Sequence, residues 1–158
     1  MKLYYSPGAC SLGIHVLLEE IGKPFEAVRS PIKDGALQTP EFQALNPKGK
    51  VPLLVRDDGS TLTQFTAQAF WLAATNPAAG LLPADAEGQA RALEVVDFAT
   101  GTIHPLGFSR LFNQARFAPS EADHPKVKEQ GWEIASKAFA NVDKLWQGGD
   151  WVLPSGYS

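Results

Sequence analysis

The chain has 158 residues, 44% of them apolar, and a net charge of −3, which suits one ordinary domain or two small ones with a packed core and excludes wholesale disorder. Lys and Arg are scattered rather than clustered, so no nucleic-acid partner is expected; no apolar run approaches the ~20 residues that span a bilayer and the N-terminus lacks a signal peptide's apolar core, so no membrane partner and a cytoplasmic location are expected. One cysteine excludes an intramolecular disulfide, and the three histidines lie too far apart in sequence to suggest a local zinc motif, so no metal is expected.

A strand over residues 2–6 runs through a Pro7-Gly8 turn into a helix whose apolar residues Ile14, Leu17, Leu18 and Ile21 fall at helical spacing. The turn delivers Cys10 to the helix start, where unpaired N–H groups and the positive end of the helix dipole favour an anion and can lower a thiol pKa from about 8.5. A free cysteine is also a small hydrophobe suited to burial, and position alone leaves both roles open. A second strand is expected over residues 25–30, bounded by Gly22-Lys23-Pro24 and Ser30-Pro31. A short helix follows, with Thr39 as cap, Pro40 in first position and Asn46-Pro47 as stop. Residues 51–55 and 61–63 form a hairpin about Asp57-Asp58-Gly59, and a helix over 64–75 places Ala67, Phe70, Trp71 and Ala74 along one apolar face.

The order is βαβ, α, ββα over residues 1–76. The Pro-, Gly- and Ala-rich residues 77–85 read as a linker, and 86–158 as helices only. Two helical stretches are expected in that part, over 86–116 and 123–147, with breaks at His104-Pro105 and at Pro119. Val127, Ile134, Ala138, Val142 and Leu145 mark the apolar face of the second.

This order, with its motifs, resembles the glutathione transferase superfamily. The opening MKLYYSPGACS resembles the N-terminus of bacterial beta-class members, NPKGKVP the segment leading into the family's cis-proline, and DWVLPSGYS the approach to its buried capping-box helix. The resemblance implies a thioredoxin-like α/β domain followed by an all-α domain. It also implies a homodimer, and a chain that runs on past Ser158, so that the helical domain is truncated here and Ser158 would be a helix N-cap. By the same resemblance Val51, ahead of Pro52, would offer its N–H and C=O to the extended peptide of glutathione. Lys33, Gln64 and Phe65 would complete the peptide's site. The family most often has an acidic residue at the position of Gln64 and a small one at that of Phe65, so a neutral amide and a ring here replace groups that grip the γ-glutamyl end.

The activity implied is transfer of the glutathione thiolate to a small hydrophobic electrophile held between the domains, with glutathione as co-substrate. Cys10, Tyr5, Ser11 and His104 are the candidates to stabilise the sulfur, with Cys10 and His104 foremost. Phe108 and Phe112 are candidates to line the electrophile pocket, although aromatics at that spacing also suit a core. Two alternatives stand beside this. A mixed-disulfide enzyme would use Cys10 alone, because the partner position of a thioredoxin-type pair holds Gly13. A family member without catalysis would serve as a binding module.

Overall fold

The computed structural model describes residues 1–146, 149–153, 156 and 157. Ser158, the expected helix N-cap, lies outside the described residues. The chain divides into two compact units, Met1–Leu82 and Pro83–Ser158.

The first unit is built on a four-stranded sheet of order β2-β1-β3-β4, with β1 Lys2–Tyr5, β2 Glu26–Arg29, β3 Leu53–Val55 and β4 Thr61–Thr63. β1 is central: it pairs parallel with β2 (Leu3 opposite Ala27) and antiparallel with β3 (Leu3 opposite Leu54), and β3 pairs antiparallel with β4. Alternation along β1 sends Leu3 into a fully buried cluster with Ile14, Leu18, Leu54 and Leu72, whereas Tyr4 packs with the cluster of Leu37, Phe42, Val51 and Leu53. The first cluster joins the sheet to α1 (Ser11–Ile21) and α3 (Phe65–Thr75), and the second to α2 (Pro40–Leu45). Thr39 caps α2 as expected, its hydroxyl accepting from the Phe42 N–H at 3.3 Å.

α3 presents a different face to the core from the one its apolar residues suggest. Gln68, Leu72 and Ala73 are buried, while Ala67, Phe70 and Ala74 face solvent and Trp71 is half-buried. A glutamine can occupy a core position when its amide finds carbonyls, and Gln68 donates to Pro52 at 3.0 Å and to Leu62 at 2.7 Å.

In the second unit α4 (Ala86–Phe98) continues, without the break expected at His104-Pro105, through a π-helical segment Ala99–Phe108 into α5 (Ser109–Phe112). Proline lacks an N–H, and in an α-helix its ring meets the carbonyl four residues back; the wider π turn relieves that conflict without ending the helix. Ser109 stitches the segment, its hydroxyl donating to the His104 carbonyl at 3.2 Å. α6 (His124–Leu145) buries Val127, Gly131, Ala135 and Ala138; of the expected face, Ile134 and Val142 are half-buried and Leu145 is exposed. The small residues let α6 approach closely: a Cβ on Gly131 would lie 2.9 Å from the Arg110 Cβ and 3.1 Å from the Gly107 carbonyl oxygen.

Among the described residues no helix is long and apolar enough to cross a membrane.

Gly131→Ala weighs two opposed effects. Alanine gains about 1 kcal/mol in helix propensity over glycine, but its methyl meets backbone and a Cβ stem that cannot swing away, an overpacking cost of about 1–3 kcal/mol. Net destabilisation by about 1 kcal/mol is expected, read as a lower denaturation midpoint; an unchanged or raised midpoint would show that the seam can relax.

Candidate active site

The end of β1 is tied to the start of α1 by a buried pair of serines. The Ser11 hydroxyl accepts from the Ser6 N–H at 3.2 Å and donates to the Ser6 carbonyl at 3.3 Å, and the Ser6 hydroxyl accepts from the Ile32 N–H at 3.2 Å. One relay thus joins the helix that begins after Cys10 to the turn that carries the exposed Lys33. Ser11 is fully buried and bonded to backbone in both directions, so its hydroxyl braces the turn.

Cys10 occupies the N-cap position of α1 in helical conformation. Its thiol points at the Val51 carbonyl, Sγ to O 3.8 Å, and the Val51–Pro52 peptide is cis. Cys10 and Val51, nominated from opposite ends of the domain, therefore meet. The electrostatics differ from expectation. Burial pushes the thiol pKa up, and the N–H groups of Cys10 and Ser11, which pull it down, are the weaker influence. Cys10 is a protonated hydrogen-bond donor at neutral pH rather than a thiolate.

Tyr5 lies elsewhere. Its ring packs with the α1–α3 cluster and on His15, centroids 5.5 Å apart, more than one turn along α1 from Cys10. His104 is an exposed residue of the π segment in the other unit. Phe108, in the same segment, is half-buried and stands at 6.1 Å from both the Phe112 and Phe139 rings. Phe112 is 82% exposed, too open for a core residue.

Gln64 precedes α3 with φ 74° and ψ 131°, the one non-glycine residue with positive φ among those described. Such backbone persists where its surroundings over-determine it, commonly at ligand sites. Its side chain is exposed and makes no capping bond, and the first turn of α3 carries no acidic residue. The Phe65 side chain is half-buried. The ring belongs to the α1–α3 cluster and lies over Gly13, where a Cβ would stand 2.7 Å from Cε2. Gly13 leaves the space and Phe65 fills it.

Nothing in the sequence marked Lys48, whose ammonium donates to the Thr63 hydroxyl at 2.8 Å beside the start of α3. Nor did it mark Gln68, or Asn46 as more than a helix stop; these two buried amides hold carbonyls on either side of Val51. Charge on a loop lysine is unremarkable by itself, and an amide's burial is set by the fold.

The sequence profile described as glutathione S-transferase, N-terminal domain, matches residues 8–75. Glutathione S-transferase GstA of Escherichia coli O157:H7 is 39% identical over 114 residues, 71% of this chain and 56% of that protein. Glutathione S-transferase GST-4.5 of Xanthomonas campestris pv. campestris is 33% identical over 156 residues, 96% of this chain and 73% of that protein. The chain thus spans little more than half the length of the first and about three quarters of the second. A sphingomonad glutathione S-transferase complexed with glutathione superposes with TM-score 0.80 at 36% identity, over 100% of this chain and 75% of that one.

The raised Cys10 pKa sets a pH dependence. The folded state holds the thiol proton more tightly than the unfolded chain, so this group's stabilisation is present below the unfolded value of about 8.5 and is lost as pH rises through the folded value. Alkylation by iodoacetamide at neutral pH should accordingly be slower than for a free thiol and should still be climbing above pH ~9. A rate that levels off below pH ~8 would show a depressed pKa instead.

Proposed function

Because the chain belongs to the glutathione S-transferase family, we propose that its Met1–Leu82 unit binds glutathione and that the bound thiolate attacks a small hydrophobic electrophile. The meeting of the Cys10 thiol with Val51 at the Val51–Pro52 peptide is the observation that carries it. Val51 would pair with the cysteinyl part of the tripeptide as one added residue of strand. The N-terminal turn of α3 would take the γ-glutamyl carboxylate, and Lys33 the carboxylate at the other end. Cys10, protonated and at hydrogen-bond range of that edge, would donate to the glutathione sulfur and favour its ionised form. The second unit offers an exposed imidazole at His104 and apolar surface at Phe108, Phe112 and Phe139.

Magnitudes apportion the work. A thiol of pKa about 8.5 is about 3% ionised at pH 7, so lowering the pKa raises the thiolate at most ~30-fold. The larger factor must come from holding both reactants together. The mixed-disulfide alternative loses ground, because a thiol whose pKa burial raises is a poor nucleophile at neutral pH.

Glutathione-dependent conjugation of a chloronitrobenzene, followed by absorbance, tests the proposal. Retention on immobilised glutathione without conjugation would favour the non-catalytic binding module, and neither retention nor conjugation would withdraw the proposal. Gln64→Glu should tighten glutathione about fivefold in calorimetric titration by adding a charged partner for the γ-glutamyl ammonium, about 1 kcal/mol. Phe65→Ser should behave differently: removing the ring from Gly13 costs about 2 kcal/mol of stability, read as a lower denaturation midpoint, whatever its hydroxyl adds to binding. Looser binding by Gln64→Glu would mean that the γ-glutamyl end is read another way.

The exposed stripe Ala67, Phe70 and Ala74 on α3 suits cover by a second copy in a homodimer. Light scattering at micromolar concentration should return twice the chain mass; a monomer's mass would refute the pairing.

A further inference from the structure

The carbonyls on either side of Val51 are each held by a buried side-chain amide. The Lys50 carbonyl accepts from Asn46 Nδ2 at 2.7 Å, and the Pro52 carbonyl from Gln68 Nε2 at 3.0 Å. Between them the Val51 carbonyl faces Cys10 Sγ at 3.8 Å. Asn46 is 1% exposed and Gln68 fully buried. Asn46 is also engaged at its oxygen, Oδ1 accepting from the Lys48 N–H at 3.2 Å, which shapes the turn ahead of Val51.

Gln68 is harder to explain by packing. It lies in α3 on the buried face shared with Leu72 and Ala73, its Nε2 also donates to the Leu62 carbonyl at 2.7 Å, and its Oε1 is buried without a partner. A leucine or methionine there would leave no orphaned acceptor, and a buried unsatisfied oxygen is costly. What an apolar side chain could not do is reach two main-chain carbonyls at once. The β3–β4 ladder begins with Leu53 opposite Thr63, so Pro52 stands outside it, and the Gln68 amide supplies the donor that a ladder partner would have given.

We propose that Gln68 is a positioning residue: with Asn46 it clamps the carbonyls flanking Val51, so that Val51 presents its peptide groups beside Cys10 in one orientation. The geometric part stands by itself; the ligand that uses this edge, glutathione, rests on the function proposed above.

The test is made on the full chain with Gln68→Met, which keeps length and removes the donors, against Leu72→Val, a core change one turn along the same helix. Hydrogen exchange should rise about tenfold or more over residues 49–55 in Gln68→Met, with the β1 peptide unchanged, and Leu72→Val should show no such selectivity. Calorimetric Kd for glutathione should weaken about tenfold in Gln68→Met alone, while kcat at saturating glutathione stays within about twofold. If Gln68→Met exchanges like Leu72→Val and binds glutathione like the parent, the positioning role is overturned. Should Gln68→Met not fold, Gln68→Glu serves: a protonated acid keeps one donor and an ionised one keeps none, so protection of residues 49–55 relative to β1 should recover as pH falls. Absence of that recovery also overturns the role. A parent that binds no glutathione while exchange over 49–55 depends on Gln68 would sink the transferase proposal and uphold the positioning.

Discussion

The reciprocal bond between Ser6 and Ser11 is the contact on which the candidate site hangs. It closes the turn after the central strand with buried partners, so the start of α1 takes its place from the sheet. Cys10, one residue earlier, is thereby aimed at Val51, and the Ser6 hydroxyl extends the same tie to the turn bearing Lys33. A hydroxyl can do this because it donates and accepts at once; alanine at position 11 would leave the Ser6 N–H unpaired in a buried place, while the Ser6 carbonyl would keep the Ala9 N–H.

Two local contests are decided by burial. At Cys10 the helix N-terminus favours the thiolate and desolvation disfavours it; desolvation wins, and the thiol pKa is raised. At Phe65 a ring that could have stood in the mouth of α3 goes instead to the apolar seam, because Gly13 leaves room there and buried aromatic area is worth more than exposed area. Beside the start of α3 stand the exposed amide of Gln64, on backbone of positive φ, and the Lys48–Thr63 pair.

The helical unit solves a different problem. Pro105 would interrupt an α-helix, yet α4 passes into α5 through a π segment that widens to accept it. Gly107 and Gly131 let α6 close on that wider stretch, and the crossing is filled by Leu111 and Ala135 rather than by large side chains. The aromatic residues Phe108, Phe112 and Phe139 gather beside this crossing with Phe112 largely exposed.

Local chemistry determined the elements. Thr39-Pro40 starts α2, Asp57-Asp58-Gly59 turns the hairpin, and the spacing of Ile14 and Leu18 makes α1, because caps, turns and periodicity depend on neighbours in the chain. Motif order also made the family and the residues Cys10 and Val51 legible. Only the tertiary structure decided which face of α3 is buried, since Gln68 is polar by composition and becomes a core residue when the Pro52 and Leu62 carbonyls come within reach. It likewise decided the direction of the Cys10 pKa and the turn of the Phe65 ring. Each depends on desolvation or on a partner far along the chain, and neither quantity exists until the sheet has brought those segments together.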